Sequence, residues 1–115
     1  MSFAAARPPA LAREAAGLHA SVMPWLKQRD IALLGSDAVN DVQPSGIIGG
    51  SGEAANRPVH LISIAVMGMP LVDNGYFEDA AKEAAARKQW EFFMTVQLTG
   101  LTGGTATNFN ALGIF

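Results

Sequence analysis

The chain has no cysteine among its 115 residues. That excludes a disulfide framework, a thiolate zinc site and a cysteine nucleophile, and it fits a cytoplasmic protein. Charge is also scarce: 16% of residues are Asp, Glu, Lys or Arg, and the formal net charge is −2. Lys and Arg are scattered, with no more than two adjacent, so no basic face is available for an electrostatically driven nucleic-acid binder. Long apolar runs are missing too. The longest, Leu61 to Val72, covers about 12 residues and is interrupted by Ser63, Gly68 and Pro70. A membrane-spanning helix needs roughly 20. The N-terminus has no sustained apolar core of a signal peptide, because Phe3 to Ala6 runs straight into Arg7-Pro8-Pro9. Half of the residues are apolar (50%), which is enough for a core, and the length bounds the chain at one domain.

Residues 1–16 read as a loose, alanine-rich lead-in that turns helical near Ala10. Leu18, Val22, Trp25 and Leu26 recur at helical spacing. Pro24 is comfortable only in a first turn, so the pattern predicts a helix starting near Ser21, with Ser21 as its cap, and ending near Arg29-Asp30. Ile31 to Leu34 is a short apolar run stopped by Gly35 and predicts a strand buried on both faces. Polar residues 36–41 follow, and the Gly-, Ser- and Pro-rich stretch 43–58 predicts a loop.

Leu61 to Met67 is apolar throughout, and its periodicity fits a helix or a strand equally. Met69 to Val72 is a second apolar piece, ended by the turn signal Asp73-Asn74-Gly75. Phe77, Ala80, Ala81, Ala84 and Ala85 predict a helix, supported by Glu78–Lys82 and Glu83–Arg87 at i, i+4. Trp90 to Leu98 alternates apolar and polar, which predicts a strand, and Ala111 to Phe115 predicts a terminal one. Trp25, Trp90, Phe92 and Met94 read as core. The class expected is α/β, more narrowly α+β with a mixed sheet.

The residues that could carry chemistry are few. His60 and Asp73 each stand where an apolar segment meets a polar turn. Imidazole and carboxylate suit Zn²⁺, Mn²⁺ or Fe²⁺, but a catalytic zinc site needs three protein ligands and water. The plainer reading makes His60 a helix cap and Asp73-Asn74 an Asx turn. Asp37 and Asp41 admit two readings as well: carboxylates that orient ligands from behind, or a turn that satisfies its own backbone. His19 reads as a cap or surface residue. Gly103-Gly104-Thr105 lacks the Lys-Ser/Thr ending of a phosphate loop.

Four stretches, in order, resemble the cyclase family, also called kynurenine formamidase-like. They are Leu18-His19-Ala20-Ser21-Val22-Met23-Pro24-Trp25-Leu26 with Arg29 to Asp37; Pro58-Val59-His60 with Met67 to Asn74; Trp90-Glu91-Phe92; and Gly103-Gly104-Thr105 through Asn110 to Phe115. The resemblance covers nearly the whole chain from about Gly17. It implies a swivelling β/β/α fold, of which residues 17–115 would be the C-terminal part. It implies metal-dependent hydrolysis of amide-type bonds, such as those of N-formylkynurenine or isatin, with zinc or manganese as cofactor and a dimeric assembly. Family members hold the metal with an HxGTHxD motif in their first half and a histidine and an acidic residue in their second. His60 and Asp73 match the latter pair, although the formamidases proper carry Glu where this chain has Asp73. No HxGTHxD occurs in these 115 residues.

The resemblance therefore implies a partial site, inactive by itself, with Asp37 and Asp41 behind the ligands. The expected partners are another copy of the chain or a separate N-terminal half, and a small-molecule substrate once the site is complete, with no nucleic acid and no membrane. The alternative is a non-catalytic remnant or assembly module that pairs through an exposed sheet edge. The resemblance also requires the His60 and Asp73 side chains to face one cavity.

Overall fold

The computed structural model describes residues 14–115. The expected lead-in and its helical turn near Ala10 lie mostly outside the described residues. The chain is α+β, with one parallel and one antiparallel strand pair. Its contacts divide it after Asp73, so that the described residues form two compact units, 14–73 and 74–115.

In the first unit, a 3₁₀ turn (Ala20–Val22) leads directly into helix α1 (Met23–Gln28). The predicted cap, Ser21, is displaced by His19, whose side chain accepts the Ser21 N–H. The tight first turn brings that amide back onto the ring, so the imidazole takes the role a serine hydroxyl commonly fills. Pro24 lies in the first turn of α1, where no N–H is needed. Strand β1 is only Leu34–Gly35, shorter than the predicted run and not sealed on both faces, since Leu34 is half-buried and Gly35 exposed. It pairs in parallel with β2 (Leu71–Val72), placing Leu34 opposite Leu71 and Gly35 opposite Val72.

The long loop between them contains a short helix, α2 (Glu53–Asn56). Helix α3 (Pro58–His60) follows and widens without a break into a π-helix over Leu61–Met67. Gly68, at φ 66°, ends it in the left-handed conformation that glycine adopts without steric cost. The ambiguous apolar run is thus helical. Met23, Leu26, Val59 and Met69 form the buried core, with Leu18, Val22, Ile31, Leu34 and Ile62 among those packed around it. Trp25 is not part of it: the ring is half-exposed and lies beneath the Arg29 guanidinium, 4.4 Å from the ring centre.

The second unit holds α4 (Glu78–Arg87) and the hairpin β3 (Phe93–Leu98) and β4 (Phe109–Ile114). Glu78 and Asp79 at the start of α4 and Arg87 at its end complement the helix dipole. Arg87 pairs with Glu83 as predicted, whereas Lys82 pairs with Asp79 at 3.8 Å rather than with Glu78. The strands run antiparallel from Phe93 opposite Ile114 to Leu98 opposite Phe109. Phe77 packs edge-on against Phe109, and Phe92 stacks on Phe115. The expected burial of Trp90, Phe92 and Met94 is not met; Trp90 is 70% exposed. A two-stranded ribbon has no second layer to cover both its faces.

Candidate functional site

Four carboxylate, amide and imidazole side chains of the first unit converge where its elements end. Asp73 stands immediately after β2, His60 in the first turn of α3, and Asn40 and Asp41 in the turn leaving β1. Ser36 shapes that turn, its hydroxyl donating to the Ala38 carbonyl at 2.6 Å. Residues 15–18 brace it from the other side: the Leu18 N–H donates to the Asn40 carbonyl at 2.7 Å, and Ala15 bridges to Gln43. Ala15, within the expected lead-in, is thus paired with Gln43. Gly17 is obligatory here for room rather than for φ, since a Cβ at this position would fall 2.3 Å from the Asp41 carbonyl carbon.

Asp41 is fully buried (0% exposed). Its Oδ1 accepts the Val59 N–H at 2.7 Å, and its Oδ2 accepts the His60 N–H at 3.2 Å and faces His60 Nδ1 within hydrogen-bonding reach. These are the open amides of the α3 first turn. Arg57, just ahead of the helix, offers no side-chain cap, and Pro58 has no N–H to satisfy. A carboxylate from 18 residues away therefore caps the helix and orients the imidazole with the same two oxygens.

On the opposite side of the ring, His60 Nε2 meets Asp73 Oδ2 at 2.7 Å. The second oxygen of Asp73 is held by Asn40, whose backbone N–H and side-chain amide donate to Oδ1 at 3.0 and 2.7 Å. The structure thus brings His60, Asp73 and Asp41 together. It leaves Asp37 outside: that side chain is exposed in the preceding turn and takes no part in the cluster.

Both neighbours of the imidazole are carboxylates, and an ionised carboxylate only accepts hydrogen bonds. A carboxylate on each ring nitrogen favours the form of His60 that donates from both, the imidazolium. Burial opposes that charge, but the hydrogen bonds and attraction of Asp41 and Asp73 outweigh it and hold the His60 pKa above its ordinary value. For Asp73, burial likewise opposes charge. The Asn40 backbone N–H, His60 and the Asn40 side chain outweigh it and hold the carboxyl below its ordinary range.

A divalent cation requires donors that are preorganised and able to lose their protons. Nε2 and Oδ2 are adjacent, and Nδ1 is anchored on a carboxylate, the arrangement that fixes the tautomer of a metal-ligating histidine. The pair fits a metal in donor type, and in this structure Nε2 and Oδ2 face each other directly at 2.7 Å. It supplies two donors, and among the described residues no group of three or more His, Cys, Asp or Glu side chains is placed to hold an ion.

The chain matches no family model, no curated protein and no solved structure. No helix among the described residues is long and apolar enough to cross a membrane.

Asn40 was not among the residues singled out from sequence. It is neutral and lies in a segment of turn-forming residues, where an asparagine reads as a turn former. Its only signal is that it adjoins Asp41 in the polar segment that follows the apolar run Ile31 to Leu34.

Proposed function

We propose that this chain supplies part of the site of a metal-dependent hydrolase of amide-type bonds, arylformamidase-like, working in the cytoplasm. In this reading, His60 Nε2 and Asp73 Oδ2 are ligands to zinc or manganese, and Asp41 orients the imidazole. The observation that carries it is the single imidazole held between a buried carboxylate on Nδ1 and a second carboxylate oxygen 2.7 Å from Nε2. A bound divalent cation would lower the pKa of a coordinated water to near 7 and polarise the scissile carbonyl. The chain's own residues hold the donors. Asp41 retains the Nδ1 proton, Nε2 gives up its proton on coordination, and Asp73 keeps its negative charge at neutral pH. Two donors fall short of the three a catalytic site uses, so the remaining ligands come from outside these 115 residues, as the resemblance to the cyclase family implies.

The test has two arms. Titration of the labelled chain with Mn²⁺ should selectively broaden the resonances of Asp41, His60 and Asp73, and His60→Ala should abolish the effect. Uniform broadening, or none, would overturn the metal assignment. The chain alone should not hydrolyse N-formylkynurenine, an aryl formamide or isatin with added Zn²⁺ or Mn²⁺. Turnover lost in His60→Ala would show that the site is already complete.

A second reading, an assembly module, is favoured by the hairpin. Both outer edges of β3 and β4 lack a strand partner among the described residues, and Phe93, Leu112 and Ile114 share one face while each is at least half-exposed. An edge without charge or proline is a template for another strand. Light scattering at micromolar concentration should then show a dimer or larger species that Leu112→Lys dissociates. A monomer before the substitution refutes this reading.

A further inference from the structure

Asn40 is 1% exposed and donates three hydrogen bonds across the gap to β2. Its backbone N–H reaches Asp73 Oδ1 at 3.0 Å, and its side-chain amide reaches the same oxygen at 2.7 Å and the Val72 carbonyl at 3.0 Å. Its own carbonyl accepts the Leu18 N–H at 2.7 Å, so the residue is held from both sides. We propose that Asn40 is the positioning residue of the site: by occupying Oδ1 of Asp73 it leaves Oδ2 as the one oxygen presented to His60 Nε2 and to a cation bound there.

The argument rests on what a free carboxylate does. Its two oxygens are equivalent, and rotation about the last side-chain bond exchanges them. A free Asp73 could turn either oxygen, or both, toward the imidazole. Two N–H groups on Oδ1 restrict that freedom, because exchange requires breaking both bonds at once in a part-buried contact. Asp73 is therefore a one-oxygen donor with a fixed direction. Asparagine has the chemistry this position needs. Its amide nitrogen carries two hydrogens, and the two acceptors, Asp73 Oδ1 and the Val72 carbonyl, use one each. An aspartate of the same size would place a second carboxylate against Asp73. Only the cation in this proposal rests on the reading of the site given above; the positioning of Oδ2 does not.

The experiment reads the His60 ring nitrogens by NMR in the full chain, with Asp73→Ala as reference. In Asn40→Ala, the Nε2 signal should move at least half of the way to its position in Asp73→Ala, while Nδ1, bonded to Asp41, stays in place. In Asn40→Asp, which keeps the side-chain volume, Nε2 should move in the same sense. An unchanged Nε2 in either folded variant overturns the proposal, as does a shift of both nitrogens together, which is the mark of a purely structural clamp. Mn²⁺ then separates the two claims. If the parent chain shows selective broadening, Asn40→Ala should need about 10- to 100-fold more Mn²⁺ for the same effect, the usual cost of losing a residue that orients a ligand; an unchanged requirement overturns the role. If the parent shows none, the metal reading fails, and the ring nitrogens still decide the role of Asn40.

Discussion

Replacing Asp41 by alanine should unfold the site, and the structure sets the size of the effect. The carboxylate accepts from the Val59 and His60 amides and holds His60 Nδ1, and none of its surface is exposed. Each buried donor left without a partner costs about 1–3 kcal/mol, and a hydrogen bond to a charged group contributes about 1.5–3 kcal/mol. Water entering the vacated space recovers part of this, so we expect a loss of about 3–5 kcal/mol, the range for breaking a buried charged pair from one side. Asp41→Asn keeps an acceptor for Val59 and loses the charge, and should cost about half as much. At about 0.05–0.15 kcal/mol per residue, a unit of this size has only about 3–9 kcal/mol to lose.

The assay is urea unfolding followed by Trp25 fluorescence in a Trp90→Phe background, so that the signal reports residues 14–73 alone. The midpoints should fall in the order parent, Asp41→Asn, Asp41→Ala. An alanine variant within about 1 kcal/mol of the parent would refute the capping argument, because the loss of a single exposed cap lies in that range.

Three further outcomes follow from contacts in both units. The raised pKa of His60 gives stability that is complete below about pH 6.5 and lost as pH rises through the folded-state value; the lowered pKa of Asp73 gives stability that is present above about pH 4 and lost as pH falls through its folded-state value. Urea midpoints should therefore peak between about pH 4 and 6.5 and decline above, and His60→Gln should flatten the decline. Gly17→Ala should destabilise by about 1–3 kcal/mol, read by the same unfolding curve, because its methyl overlaps the Asp41 backbone. Lys88 ends α4 at φ 54°, with its own N–H on Ala85 and the Gln89 N–H on the Ala84 carbonyl, so Lys88→Gly should raise the melting temperature through a gain of about 1 kcal/mol.

The parts of the fold readable in the sequence are those set by local spacing. Helix α4 follows from the spacing of its alanines and from charge pairs four residues apart, and β3 from an alternation of apolar and polar residues that only Phe93 interrupts. His60 and Asp73 stand out because each abuts an apolar run, and in the fold those runs become the π-helix that continues α3 and strand β2. What escapes such reading depends on groups distant in the chain. The cap of α3 comes from Asp41, 18 residues before Val59, and no local signal at Arg57-Pro58 announces it. Asn40 acts on Asp73 across 33 residues. Asp37 and Asp41 look alike in sequence, and only the direction of the turn after Ser36 buries one and exposes the other. The helical state of Leu61 to Met67 depends on that remote cap and on Gly68, which the composition of the run itself does not show.

The π-helix between Leu61 and Met67 gives this chain an unusual tolerance. A π turn holds more residues than an α turn, so this segment carries surplus chain between His60 and Asp73, two residues that must meet. Deleting one of its outward residues, such as Ala65, would let the segment tighten to an α-helix while the ends stay within reach. The turn from Ser36 to Asp41 has no such reserve, since a one-residue change there would exchange the buried Asn40 and Asp41 for their neighbours. Length variation between related chains should therefore concentrate in the π segment and avoid the turn, and a mutational scan that includes single-codon deletions would display that contrast directly.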